Sequence, residues 1–146
     1  MFFNATRKKD EMTEKEKKFD ENEAAEQLNR FAGDVKSDED VAKIVRDEDK
    51  IKQFFERIEL LKKYYDDACD IFSLLKDRLS GVYSETPWQT IAALAGAILY
   101  VVSPIDLIID IIPVIGYLDD AFVFGLAIKL ASSDLEKYRA WKKARR

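Results

Sequence analysis

TPWQTIAALAGAILYVVSPIDLIIDIIPVIGYLDDAFVFGLAIKLASS, residues 86–133, decides how this chain of 146 residues is read. Its first part, residues 86–105, carries no charge, and the remainder is studded with Asp106, Asp110, Asp119 and Asp120 and broken by Pro113 and Gly116. Two helix starts share one grammar. Thr86-Pro87-Trp88-Gln89 and Ser103-Pro104-Ile105-Asp106 each place a hydroxyl at the N-cap, proline at the first helical position and an acceptor two residues later, so Thr86 and Ser103 are the predicted caps. The first helix is predicted from about Pro87 to Val102 and the second stops before Pro113, because a residue preceding proline is pushed out of the helical region. Gly116 turns the chain into a last helix that runs from about Tyr117 into the tail. These pieces form an apolar hairpin over residues 87–131.

Outward from the hairpin, the chain is charged and helical in pattern. Charged residues make up 36% of it, with five Gly and three Pro, a composition that favours long helices over a strand-and-turn sandwich. The predicted fold class is all-α: a helical bundle in which a long amphipathic helix packs on the apolar hairpin. Residues 1–36 read as a charged N-terminal helical extension, opened by a Thr13-x-x-Glu16 capping box and stopped near Gly33, with so thin an apolar stripe that it is expected to lie loosely on the rest. Residues 37–146 form the domain proper. Ser37 is the expected cap of a second helical region reaching to about Gly81, with a break around residues 47–49. Within it Ile51, Phe54, Ile58, Leu61, Tyr65, Ala68, Phe72, Leu75 and Leu79 alternate three and four apart, a heptad seam of coiled-coil type. Phe55, Leu60, Tyr64, Ile71 and Leu74 widen that seam towards packing inside a bundle, and self-association through residues 51–79 is the alternative.

Absences narrow the chemistry. The chain has no His, which removes imidazole bases, His-dependent triads and His metal ligands, and its one Cys, Cys69, lies on an apolar helical stripe without a second thiol. There is no glycine-rich phosphate loop. Residues 1–10, MFFNATRKKD, lack the apolar core of a secretory signal, so retention in the cell is expected. An enzyme is not expected. Net charge is −4, yet the stretch from Ser133 to Arg146 carries +4. That basic pole is too small for a nucleic-acid-binding face, and Tyr138 and Trp141 interleaved with its cations suit either a solvated helix end or anionic lipid headgroups.

The 20 uncharged residues from Thr86 to Ile105 have the length of a membrane span, but the helix between the two prolines is only about 23 Å long against a hydrocarbon core of roughly 30 Å. The hairpin is therefore either inserted, re-entrant, or buried in a bundle with the 51–79 seam as its cover. If inserted, Lys76 and Arg78 before it and the basic cluster after it place both termini in the cytoplasm by the positive-inside rule. The expected role is a small membrane-associated helical protein that anchors or scaffolds. The alternative is a soluble cytoplasmic helical module that binds a protein partner.

The stretch LYVVSPIDLIIDIIPVIGYLDDAFVFGLAIKL, residues 99–130, resembles the core motif of the YkvA-like family of small bacterial and archaeal domains of unknown function. The resemblance covers about 60 residues from near Tyr64 and rests on the pattern S-P-x-D, D, P, G-Y-x-D-D; the family's second proline is here Ile109. It implies a domain commonly assigned to membranes on hydropathy, and it supplies no catalytic residue.

Four carboxylates form the candidate site. Asp106 and Asp110 lie four apart on one helix face, and Asp119 and Asp120 follow the glycine turn that can bring them back. Together they have the oxygen ligands a Mg²⁺ or Ca²⁺ ion takes, although no cofactor is required by the pattern. Asp106 also fits its capping box, and Asp119 and Asp120 fit the first turn of the last helix. Asp110, among Leu107, Ile108, Ile109, Ile111 and Ile112, needs a partner of its own.

Overall fold

A computed structural model describes the backbone of residues 21–102 and 114–145, and the side chains of residues 22–102 and 121–145. Ser103, Asp106, Asp110 and the capping box at Thr13 lie outside the described residues, as do the side chains of Asp119 and Asp120. The fold is all-α. Among the described residues seven α-helices follow one another: α1 (Glu21–Asp34), α2 (Asp38–Arg46), α3 (Glu48–Arg57), α4 (Tyr65–Leu79), α5 (Trp88–Val102), α6 (Val114–Leu130) and α7 (Ser132–Ala144), with a 3₁₀ helix at Glu59–Tyr64.

The most apolar helix sits at the centre. Ile91, Leu94, Ala95, Ala97, Ile98 and Val101 of α5 are fully enclosed, and helices α1 and α6 supply the closest cover. Small residues on α5 bring α1 close. A Cβ on Gly96 would lie 2.5 Å from the Ala32 nitrogen and 2.7 Å from its Cα, so the two backbones meet where only glycine fits. Ala24 and Leu28 of α1 are buried in the same core, and Phe31 meets Tyr100 edge-on with ring centroids 5.1 Å apart. The helix expected to lie loosely is thus a principal cover of α5. Its apolar stripe is thin because its partner offers small residues, and a narrow stripe is enough at short range.

The seam of residues 51–79 is not one helix. Asp47 separates α2 from α3, as expected, and Ile58, at φ −88° and ψ 117°, is extended and separates α3 from the 3₁₀ helix. The seam is therefore no coiled coil. Its residues Ile51, Leu61, Ala68, Phe72 and Leu75 and the flanking Phe55, Ile71 and Leu74 are all buried within the molecule. Phe55 packs on Phe124 of α6 at 4.9 Å, so the seam covers the second arm of the hairpin and leaves little for a second copy. Gly81, at φ +81°, ends the stretch after α4.

Two further expectations are corrected. Ser37 stands at the N-cap of α2 without a side-chain capping bond, and the carboxylate of Asp40 instead reaches back to the Lys36 N–H at 2.8 Å. The last helix is broken at Ala131, a buried residue at φ −93° and ψ 4°, into α6 and α7.

Candidate functional site

The side chains of the predicted carboxylates Asp106, Asp110, Asp119 and Asp120 all lie outside the described residues. Among the described residues no group of three acidic, His or Cys side chains is placed to hold a metal ion. Thr86 is described, and it is not the cap. Its hydroxyl is buried without a hydrogen-bond partner among the described residues, while the Pro87 carbonyl accepts the first helical bonds from Thr90 and Ile91. The proline starts the helix one residue later than the capping grammar implies, which carries the Thr86 oxygen away from the free amides.

What the fold does assemble is a polar seam between α4 and α7. Asp67, Asp70, Ser73 and Asp77 recur at three- and four-residue steps along one face of α4, and on α7 Lys142 follows Tyr138 by four residues and Arg139 by three. The Tyr138 hydroxyl donates to Asp77 Oδ2 at 2.6 Å. Its one proton being committed there, Ser73 Oγ donates to the Tyr138 oxygen at 2.5 Å. Lys142 Nζ reaches the same Asp77 oxygen at 2.9 Å. Alongside, Arg139 forks onto two carboxylates, Nε to Asp70 and Nη2 to Asp67, each at 2.7 Å.

Burial works to raise the Asp77 carboxyl, but the Tyr138 hydroxyl and the Lys142 ammonium outweigh it and hold Asp77 below the ordinary carboxylate range. Burial and the Asp77 acceptor push Tyr138 well above the usual phenol range. Tyr83 closes the seam, with its ring 5.1 Å from Tyr138 and 4.7 Å from Trp141, and the Arg145 guanidinium lies 4.6 Å above Trp141. A tyrosine pushed above the usual phenol range and a carboxylate already holding two donors form a clamp between α4 and α7.

This arrangement revises the reading of the basic tail. Tyr138 is buried, and Arg139 and Lys142, though partly exposed, are paired with α4 aspartates, so those carboxylates already hold two of the tail's cations. Lys76 and Arg78 are likewise paired, with Glu48 and Asp38 at 3.0 and 3.1 Å. The acid spacing on α4 and the base spacing on α7 were visible in the sequence; their pairing was not.

Two surface grooves are of similar size. One, about 250 Å³, is lined by Tyr64, Phe122, Gly125, Leu126 and Lys129. The other, about 270 Å³, has Asp34, Asp40, Asp47 and Lys43 around an apolar floor that includes Ile98 and Val102.

The matched relative is the "Uncharacterized membrane protein YkvA" of Bacillus subtilis (strain 168), 37% identical over 81 residues that make up 56% of this chain and 76% of the relative. The chain belongs to the YkvA-like family. A family model described as "Protein of unknown function (DUF1232)" matches residues 90–126 of this YkvA-like chain, from the first turn of α5 into the middle of α6. No solved structure matches. In this family member, no helix among the described residues is long and apolar enough to cross a membrane. Helix α5 has 15 residues, about 22 Å, and is enclosed by protein. The described part of the apolar run, residues 86–102, is packed largely into the core, and the positive-inside argument, which presupposes a crossing helix, gives no orientation here.

Proposed function

We propose that this chain is a membrane-associated helical protein that anchors or scaffolds by binding, without catalysing a reaction, and that it associates through its surface and not by threading its apolar hairpin through the bilayer. The observation carrying this reading is the enclosure of α5 within a chain whose relative is named a membrane protein. A helix with Ile91, Leu94, Ile98 and Val101 all turned into protein has that face closed to acyl chains. A clamp of paired charges between α4 and α7 supports a binding role, because its groups stabilise one another.

Fractionation of cells expressing the full chain tests the proposal. Recovery with membranes, followed by release at alkaline carbonate pH, is expected. Retention after carbonate would overturn surface association in favour of an inserted hairpin, and recovery without membranes would overturn membrane association altogether.

A further inference from the structure

Helix α7 carries cations that the clamp on α4 does not use. Lys137, Trp141 and Arg145 stand four residues apart and share one face of a helix whose backbone stays helical at Arg145, with φ −84° and ψ −11°. On that face Lys137 and Arg145 are exposed, Trp141 is half-buried, and the exposed Ala140 and Ala144 leave room for close approach. The Arg145 guanidinium lies over the Trp141 ring, and neither Lys137 nor Arg145 takes part in an ion pair among the described residues.

The groove on α1, α2 and α5 has the opposite charge. Asp34, Asp40 and Asp47 border it with Lys43, and the half-buried Leu99 and Val102 of α5 give it an apolar wall. At about 270 Å³ it falls just below the roughly 300–1,000 Å³ of small-molecule pockets, a size that suits a partner's side chains. Asp40 and Asp47 lie seven residues apart on one edge of α2, about 10 Å at 1.5 Å per residue, and Lys137 and Arg145 lie eight apart, about 12 Å. Asp34 and Asp47 are in no ion pair among the described residues, and Asp40 commits one oxygen to the Lys36 N–H. The described lining includes no residue of α7, so the tail of a chain does not occupy its own groove.

We propose that a second copy of the chain fills the groove: the α7 face of one copy lies along α2 of the other, with Lys137 and Arg145 meeting Asp40 and Asp47 and Trp141 resting between them on Leu99 and Val102. Anchors four residues apart suit a helix laid in a groove, and opposite charges at matched spacing set partner and register. Lys43, spaced between the two aspartates, works against the pairing. The inference goes beyond membrane association and does not depend on it.

The test is sedimentation velocity of the full chain over a range of concentrations at low and high salt. A mass that rises with concentration at low salt and returns towards the monomer at high salt is expected, because exposed pairs are screened. Lys137→Gln and Arg145→Gln are each expected to raise the dissociation constant about two- to fivefold, the range of an exposed ion pair. Lys43→Gln is expected to lower it by a similar factor, and Arg57→Gln, exposed and outside both faces, to leave it as it was. Asp47→Lys and Lys137→Glu should each weaken association about tenfold or more by setting like charges together. A mixture of these two variants should associate again, since the intact tail of the first meets the intact groove of the second. Helicity and melting temperature matched to the parent establish that a weakened variant is still folded.

A parent that stays monomeric at low salt overturns the pairing. Self-association that the groove and α7 variants leave unchanged overturns it too, because the contact then lies elsewhere on the chain. The same holds for a mixture of the two reversal variants that is no more associated than either alone. A monomeric chain that still fractionates with membranes overturns this inference and leaves the earlier reading standing.

Discussion

Gly96→Ala isolates the contact between α1 and α5. The added Cβ would lie 2.5 Å from the Ala32 nitrogen, 2.7 Å from the Ala32 Cα and 2.9 Å from the Phe31 carbonyl carbon. All three atoms are backbone, so no rotamer change relieves them, and α1 must move outward by somewhat under 1 Å to restore ordinary contact near 3.4 Å. Helix propensity acts the other way, favouring alanine by about 0.5–1 kcal/mol in a helix interior. Forcing an extra carbon into a packed core costs about 1–3 kcal/mol and sometimes more. A rigid backbone clash belongs at the upper end of that range, and lifting α1 also loosens Ala24 and Leu28. The expected net loss is about 2 kcal/mol, read from urea unfolding, with faster hydrogen exchange concentrated in residues 21–34. Gly33→Ala is the control, because its Cβ meets nothing within 4 Å, and it is expected to be neutral or to stabilise by a few tenths of a kcal/mol to about 1 kcal/mol. Gly96→Ala as stable as the parent, with unchanged exchange in α1, would refute the close packing of α1 on α5.

Tyr138→Phe deprives Asp77 and Ser73 of a buried partner and is expected to cost about 1–3 kcal/mol, measured by thermal unfolding. Because the folded Asp77 is held below its ordinary value, its stabilisation is present above the ordinary carboxylate range and is lost as pH falls through the folded value; Asp77→Asn should therefore flatten the acid limb of a stability–pH curve, and an unaltered limb would contradict the clamp. On the alkaline side Tyr138 is raised, so the stability it contributes is present below the ordinary phenol value near 10 and declines above it, a decline that Tyr138→Phe should remove. Thr86→Val replaces a buried hydroxyl that has no partner among the described residues by a near-isostere and should stabilise by about 1 kcal/mol; destabilisation would reinstate Thr86 as a cap. Arg139→Ala, which leaves Asp67 and Asp70 facing α7 unpaired at a partly exposed site, should cost no more than about 1 kcal/mol and less at high salt.

The sequence by itself determined the class and the punctuation of this protein. Composition and the spacing of apolar residues made it all-α, Pro87 and Gly81 marked a helix start and a stop, and the run from Ile91 to Val101 marked the helix that must be kept from water. The residue motif at 103–120 placed it in its family, and its four aspartates remain a reading of the sequence. Local patterns have a local range, which is where the reading stopped. A run of apolar residues satisfies a bilayer and a protein core equally well, and only the positions of α1 and α6 around α5 show which of its side chains the fold encloses. The same holds for charge. KYRAWKKARR is basic as a string, but whether those cations face lipid or carboxylates depends on the approach of α4 across some 65 residues of chain, which puts Asp77 beneath Tyr138 and Lys142. The heptad seam was legible residue by residue, yet one extended residue, Ile58, broke its helix, because burying Phe55 and Leu61 in one core mattered more than continuing a regular repeat.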